Sequence, residues 1–518
     1  VTLLTLLLAQ MPHIIAYLST PPEMTFIGSV VNHQDTSSYL AEIRQGMEGE
    51  WLFHDRYTSE PHEGGPLFLF YISLGHMAGI LGLSPPAVFT IARIVCGLIL
   101  LSTAYWFLTL FLPRRQQRRT AYLLVCFSSG LGWIAMIFWP LLLLMGREPI
   151  DMWVPEANTF STLLGVPHFA LSVSLMLITL GGLVVAFRSG RWRPVWAAAL
   201  ACFALSWIHP FDTLIIGAVL ATYLAWHTVE RRRIPWREVG QVTPCFALSL
   251  PVVLYLQFGV IAPNPVFRAW LDQGITRLPS LLATLFGFGL LAVLASIGAW
   301  RTVRYRQIDP LPLCWVGAVV VLLLLPTNVQ RRFLEGIHIP LCILAAVGWP
   351  VVWQIVQGQG ILKSSLRILL LVGLLSSTLV VWGAATANGL SHTNPYFLYR
   401  YETEAFDWLE AHSDSDDTVL SSAQTGIYIP AWAGNRVFIG HWDQTIYLTE
   451  KEELLEGIFY AATPPARREE IIQAYGIAYL YHGPSERELG GYDPSLDSIW
   501  EPVFSNAEIT IYRSTLSR

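Results

Sequence analysis

Between Ser19 and Gly65 the chain gathers Asp35, Glu42, Asp55, Glu60, His62 and Glu63 into one polar loop, directly after an apolar N-terminal segment. Carboxylates and imidazoles are the side chains that move protons near neutral pH, so a loop of this composition held at a membrane is a candidate active site. Asn32-His33-Gln34-Asp35 is followed by Tyr39-Leu40-Ala41 and Ile43, a spacing that predicts a short amphipathic helix with Asp35 at its N-terminal end. A carboxylate there serves as a helix cap or as a base that takes a proton from an attacking hydroxyl, and both readings stay open. His54-Asp55-Arg56 through Glu60-Pro61-His62-Glu63 has metal-ligand side chains but no tight ligand spacing, so it reads as a solvated loop.

Three further constellations could carry chemistry. The loop Arg147–Gly165 offers Asp151, Glu156 and Asn158 around Pro155, with His168 just inside the next apolar run. Acids in such a loop are commonly just solvated, and His168 reads equally as a hydrogen-bonded helix residue. Asn328-Val329-Gln330-Arg331-Arg332-Phe333 sets two arginines at the mouth of a helix pair. Guanidinium groups pair phosphate bidentately, so the pair suggests a lipid-phosphate or phosphodiester ligand; snorkelling toward headgroups is the bland alternative. Arg93 is the one base inside an apolar run, where an ionisable group faces the bundle interior with a partner. His209 and Asp212 are its candidate partners.

The elements that must hold these residues are membrane helices. Of 518 residues, 53% are hydrophobic and 13% charged, and the mean hydropathy is +0.47; a soluble domain has about a quarter of its residues charged. Apolar runs near 2–18, 86–112, 120–145, 166–187, 194–208, 211–229, 239–261, 280–300, 310–326, 337–357 and 366–388 predict about eleven spans. The pair 194–208 and 211–229 breaks at His209-Pro210, which reads as a hairpin corner. Basic clusters at Arg114-Arg115 with Arg118-Arg119, at Arg188, Arg191 and Arg193, at Arg231-Arg232-Arg233 with Arg237, at Arg301, Arg304 and Arg306, and at Lys363 with Arg367 are placed inside. Outside then fall the first loop, the loop 147–165, the 209–212 corner, the loops 262–279 and 327–336, and the C-terminal region.

That parity leaves Pro66 to Leu83 as a helix lying along or dipping into the outer face, interrupted by Gly75, Gly79 and Gly82. The first run has no basic residue ahead of it; an inward N-terminus follows from the later loops, with a cleaved signal peptide as the competing reading.

Residues 391–518 carry 20 acids and 8 bases, a net of −12, while the first 390 carry 17 acids and 24 bases, a net of +7. This divides the chain into a transmembrane module, 1–390, and a soluble acidic domain, 391–518. In the latter, Thr418–Ser422, Arg436–Gly440, Ile477–Tyr481 and Ile509–Tyr512 read as strands, and Glu450–Tyr460 and Pro465–Tyr475 as helices, so a small α/β sandwich is expected. Tyr428, Trp432, His441, Trp442, Asp443 and Tyr447 form an aromatic-polar cluster suited to stacking on a sugar or peptide, or to filling a core. The six cysteines all lie in apolar runs, which suggests no disulfide framework. No P-loop, dinucleotide fingerprint, HExxH or nucleic-acid signature occurs, so nucleotide use has no support.

In the order of these features the chain resembles the GT-C class of membrane glycosyltransferases, which includes protein O-mannosyltransferases, the lipid A aminoarabinose transferase and oligosaccharyltransferases. The resemblance rests on Asp35 in an acidic first outer loop, Gly64-Gly65-Pro66-Leu67 entering the surface helix, Arg93 opening the second span, the acidic second loop, Arg331-Arg332 and the C-terminal α/β domain. It implies an α-helical polytopic fold, and transfer of a sugar from a polyprenyl-phosphate carrier to an acceptor glycan, lipid or protein on the extracytoplasmic face of the cell membrane. It further implies Asp35 as catalytic base, Glu156 or Asp151 as second-loop acid, and Arg331, Arg332 and Arg93 as donor-phosphate groups. His33, His62, His168, His209, Trp442 and Asp443 are then candidate substrate contacts. The chain departs from the class in lacking a DxD pair in the second loop and a WWDYG segment, of which His441-Trp442-Asp443-Gln444 is a faint echo. This favours a monosaccharide on a lipid monophosphate over an oligosaccharide, and leaves a divalent metal as an open cofactor. A lipid or lipid-linked-sugar transporter and a non-catalytic assembly subunit are the rival readings; the first expects midplane charges and an internal repeat, neither of which is seen.

Overall fold

A computed structural model describes residues 1–146 and 148–516; Arg147, at the start of the second loop, lies outside the described residues. Nine described helical segments are long and apolar enough to cross a membrane: Thr2–Ser19, Pro85–Phe111, Arg115–Ile137 (taken across a break at 128–131), Pro167–Ser189, Phe211–Arg231, Trp236–Ile261, Leu281–Tyr305, His338–Val356 and Ile361–Ser391. Arg193–Ile208 and Leu311–Leu323 are shorter apolar helices in the two remaining runs. The protein is a multi-pass membrane protein.

The run 120–145 is not one helix. It breaks into Arg115–Phe127, Gly132–Ile137 and Trp139–Met145. Backbone groups freed by a break inside an apolar bundle need partners from neighbouring helices. Here Ser129 N–H donates to the Leu374 carbonyl at 2.8 Å and Leu131 N–H to Phe286 at 2.9 Å, while Ser128 Oγ–H donates back to Leu124 at 2.7 Å.

Packing groups the chain into two compact units rather than in chain order. Unit 1 holds 1–14, 91–254 and 276–387; unit 2 holds 15–90, 255–275 and 388–518. In unit 1, helices Leu281–Tyr305 and His338–Val356 meet through small residues: a Cβ at Gly298 would lie 1.8 Å from the Leu344 carbonyl oxygen, and one at Gly348 2.2 Å from that of Leu294. With no hydrophobic gain between helices in lipid, such close backbone approach supplies the packing.

Unit 2 contains two sheets. Strands β1 (Met24–Phe26) and β2 (Phe397–Tyr399) pair antiparallel, with Thr25 opposite Leu398. Strands β3 (Thr418–Leu420), β4 (Arg436–Val437), β5 (Ile477–His482), β6 (Trp500–Ser505) and β7 (Thr510–Ser514) form a mixed sheet in the order β4-β3-β5-β7-β6. The four expected strands are present in shifted bounds, and β6 completes the edge. The expected helices appear as Leu448–Phe459 and Pro465–Ala474, and Arg400–His412 is added. One core joins first-loop residues Ile27, Leu40, Ile43 and Tyr57 to C-terminal Phe406, Val419, Ile429 and Val437.

The surface-helix segment forms a 13-residue helix, Leu69–Leu81. It runs through Gly75 and Gly79 instead of being interrupted there, and ends at Gly82 in the left-handed region, φ 65°. Gly75 serves contact: a Cβ there would meet the Ile43 carbonyl at 2.0 Å, and one at Gly46 would meet the Ile72 carbonyl at 2.1 Å. Helix His33–Met47 thus crosses Leu69–Leu81 at backbone contact. Gly75→Ala should therefore lower the thermal midpoint of the detergent-solubilised protein, at a cost of about 1–3 kcal/mol as for other overpacked contacts. An unchanged midpoint would show that this crossing relaxes freely.

Candidate functional site

Polar side chains converge at two places, one in each unit. In unit 2, Asn32 adopts a left-handed conformation (φ 49°) ahead of helix His33–Met47, and Asp35 stands in the first turn. The Asp35 carboxylate accepts hydrogen bonds from Asn32 Nδ2 and from His441 Nε2, at 3.2 Å. His441 Nδ1 accepts the backbone N–H groups of Asp443 and Gln444, each at 3.2 Å. Those two donors assign the imidazole proton to Nε2, so the buried His441 ring is oriented to donate to Asp35. Asp35 itself keeps 33% of its side chain exposed. A carboxylate oriented by a buried imidazole and still partly exposed to solvent suits a proton acceptor.

Within the first loop the stretch 55–59 is buried rather than solvated, whereas 48–52, Pro61 and Glu63 are exposed. Asp55 and Arg56 are buried; Arg56 pairs with Glu48, and the buried Lys451 pairs with Glu60 at 2.6 Å. His62 Nε2 accepts the Asp55 N–H at 2.9 Å and its Nδ1 faces the Glu60 carbonyl at 2.9 Å, so both ring nitrogens are engaged. Glu42 accepts from Ser38, which accepts from Gln444; burial raises the Glu42 carboxyl well above its ordinary range. Burial also lowers the His33 imidazole, against the pull of Asp35. The aromatic-polar cluster divides: Tyr428 and His441 are buried, whereas Trp442 and Tyr447 are exposed. Asp443 accepts from Trp270 Nε1 at 3.0 Å. Beside His62, a cavity of about 460 Å³ is lined by Glu63, Gly65, Val260, Asn264 and Phe267.

In unit 1 the second cluster gathers at helix ends. The loop after Leu311–Leu323 is pinned by the Arg331 N–H, which donates to Thr276 at 2.9 Å. A 3-10 turn, Gln330–Leu334, then presents both arginines. The Arg331 guanidinium lies 4.8 Å over the Trp153 ring and 3.7 Å from Glu156. Arg332 lies 5.4 Å over Phe211. Glu335 follows the turn, and its Oε2 is 3.0 Å from Nδ1 of His209; Asp212 Oδ1 is 3.2 Å from the same nitrogen. All three are buried. Burial alone would depress the His209 imidazole, but Glu335 and Asp212 beside it raise it to about 10. Burial, with repulsion from Asp212, pushes Glu335 up to about 8.

No family model matches the chain, and no curated protein does. Solved structures do. The apo Archaeoglobus fulgidus oligosaccharyltransferase superposes with a TM-score of 0.62 at 12% identity, over 93% of this chain and 69% of that one. The arabinofuranosyltransferase AftD from Mycobacteria gives 0.52 at 15%, over 99% of this chain and 40% of that one. Apo ArnT from Cupriavidus metallidurans gives 0.51 at 13%, over 98% and 97%. The chain has the GT-C glycosyltransferase fold.

Within this GT-C framework the residues singled out from sequence separate. Asp35 and His33 belong to the unit 2 cluster, and Glu156, Arg331 and Arg332 meet in unit 1. Asp151 is buried and accepts from Gly132 N–H at 3.2 Å; burial pushes its carboxyl to about 6. Arg93 is buried and donates to Gln10 at 2.9 Å, whereas His209 and Asp212, its expected partners, face Glu335. His168 lies 6.0 Å from the His209 ring, centroid to centroid. Sequence reasoning missed Glu335, three positions after Arg332, and the pairing of His441 with Asp35. A carboxylate following two arginines was a usable signal for the first; nothing local signals the second.

Burial pushes the Asp55 carboxyl up to about 7, against the Tyr57 N–H and the Lys451 charge. The folded protein then binds this proton between pH 4 and 7, where the unfolded chain releases it, so stability falls as pH rises through that window. The loss is roughly 1 kcal/mol per pH unit. Asp55→Asn keeps the acceptor for Tyr57 N–H and should flatten the decline in thermal midpoint between pH 5 and 7. A slope equal to that of the unsubstituted protein would show that Asp55 does not titrate there.

Proposed function

We propose that this protein is an integral-membrane glycosyltransferase that moves a sugar from a polyprenyl-phosphate donor to an acceptor on the extracytoplasmic face. The observation that carries the reading is the Asp35–His441 pair: a partly exposed carboxylate at a helix start, oriented by a buried imidazole. The GT-C fold and the charged loops that carry Asp35, Glu156, Arg331 and Arg332 support it. In the reaction proposed, Asp35 takes the proton of the acceptor nucleophile, which forms a bond to the anomeric carbon as the bond from that carbon to the phosphate oxygen breaks. Charge grows on the leaving lipid phosphate, and Arg331 and Arg332 are assigned to stabilise it. Glu156 holds Arg331 in place. Outer placement follows from the basic clusters at the opposite helix ends.

Two substitutions test the roles. Asp35→Asn should lower turnover of a polyprenyl-phosphate sugar by about 10²–10⁴-fold, the range for a lost general base, with donor binding retained; full activity would remove Asp35 from the mechanism. Arg331→Ala should weaken polyprenyl-phosphate binding by about tenfold or more, measured by lipid titration in micelles, as expected for one charge-assisted hydrogen bond. Unchanged affinity would reduce Arg331 to a membrane anchor.

A further inference from the structure

We infer that His209, Asp212 and Glu335 form a binding site for one divalent transition-metal ion. Ligand atoms from the three residues all lie within 4.8 Å of one another, and all three side chains are buried. His209 Nδ1 faces both carboxylates, at 3.2 and 3.0 Å. Yet both nitrogens of His209 and all four carboxylate oxygens of Asp212 and Glu335 lack a partner with hydrogen-bond geometry. Close approach without donor alignment is unusual for a buried cluster, because polar groups removed from water are otherwise hydrogen-bonded. It is the arrangement expected of ligands that point at a shared ion. Neighbouring ligands of an octahedral ion with bonds of about 2.1 Å stand about 3.0 Å apart, and those of a tetrahedral ion about 3.4 Å. The two separations from His209 Nδ1 fall in that interval.

The donor set selects the ion. One imidazole and two carboxylates suit first-row divalent ions such as Mn²⁺ or Zn²⁺ better than Ca²⁺, which takes six to eight oxygens. Two carboxylates and a neutral imidazole also match a divalent charge. Asp212 and Glu335 both feel the negative charge of Glu156, and Arg332 opposes it at Asp212. The ligands come from two chain segments: His209 and Asp212 from the corner between two apolar helices, Glu335 from directly after the turn that carries Arg331 and Arg332. An ion here ties that turn to the corner. Its role is positional and does not depend on the glycosyltransferase reading.

The full-length protein, stripped with EDTA in detergent micelles, provides the test. Mn²⁺ titrated into it should bind at one equivalent by electron paramagnetic resonance, and Mn²⁺ or Zn²⁺ should raise the thermal midpoint by several degrees. Spin-echo modulation of the bound Mn²⁺ should show a single imidazole nitrogen in the unsubstituted protein. Glu335→Gln and Asp212→Asn, which keep side-chain shape, should each lower Mn²⁺ affinity at least tenfold, while Asp35→Asn should not. Absence of stoichiometric Mn²⁺, or bound Mn²⁺ without a nitrogen coupling, overturns the site even if both variants fail to fold. In that case the triad is an imidazolium held between two carboxylates.

Discussion

An apolar bundle without water leaves a polar group only protein atoms as partners, and this constraint arranges most of what is chemically active in the chain. Long helices satisfy their own backbones, so ionisable side chains gather where helices stop. Glu156 sits on the turn Pro155–Ala157, His209 at the corner after Ile208, and Glu335 after the turn Gln330–Leu334. Even the break after Phe127 is repaired by carbonyls of two neighbouring helices. The arginines follow the same rule, since each lies against an aromatic ring rather than in hydrocarbon alone.

In unit 2 the constraint works through burial of charge instead. Lys451 of the C-terminal segment leaves water against Thr58, Ser59 and Glu60 of the first loop, while buried Asp55 and Arg56 take Tyr57 N–H and Glu48 of that loop as partners. Strand pairing of β1 with β2 and a shared apolar core bring the same two stretches together. The orientation of Asp35 therefore depends on a histidine 406 positions later. The bond from Gln444 to Ser38 repeats that dependence one turn along the helix.

These facts explain what could be read from the sequence. The apolar runs, the His209-Pro210 corner and the exceptional Arg331-Arg332 pair are local signals, written in hydrophobic length, proline and charge sign. Asp35 was legible as the first residue of interest because it opens an amphipathic helix. The burial of Asp55 through Ser59 was not, because a charged loop reads as solvated unless its partners are known. Gly75 and Gly79 misled for a related reason: glycine usually punctuates a helix, and only the neighbouring helix His33–Met47 reveals that Gly75 permits backbone contact.

The unit 1 cluster shows how such a scaffold could prepare a site for anionic chemistry. Stabilising developing negative charge is effective when donors are fixed beforehand, since reorienting them during reaction costs what they would contribute. Arg331 is fixed from three directions: its backbone N–H by Thr276, its guanidinium face by Trp153, and its Nη2 end by Glu156. Glu156 is buried, with one oxygen lacking any hydrogen-bond partner. A buried acid facing an arginine at 3.7 Å is better placed to hold that arginine than to exchange a proton with an incoming substrate. The second-loop acid is thus placed to position positive charge, and on the proposed reading the proton transfer is assigned to the partly exposed Asp35.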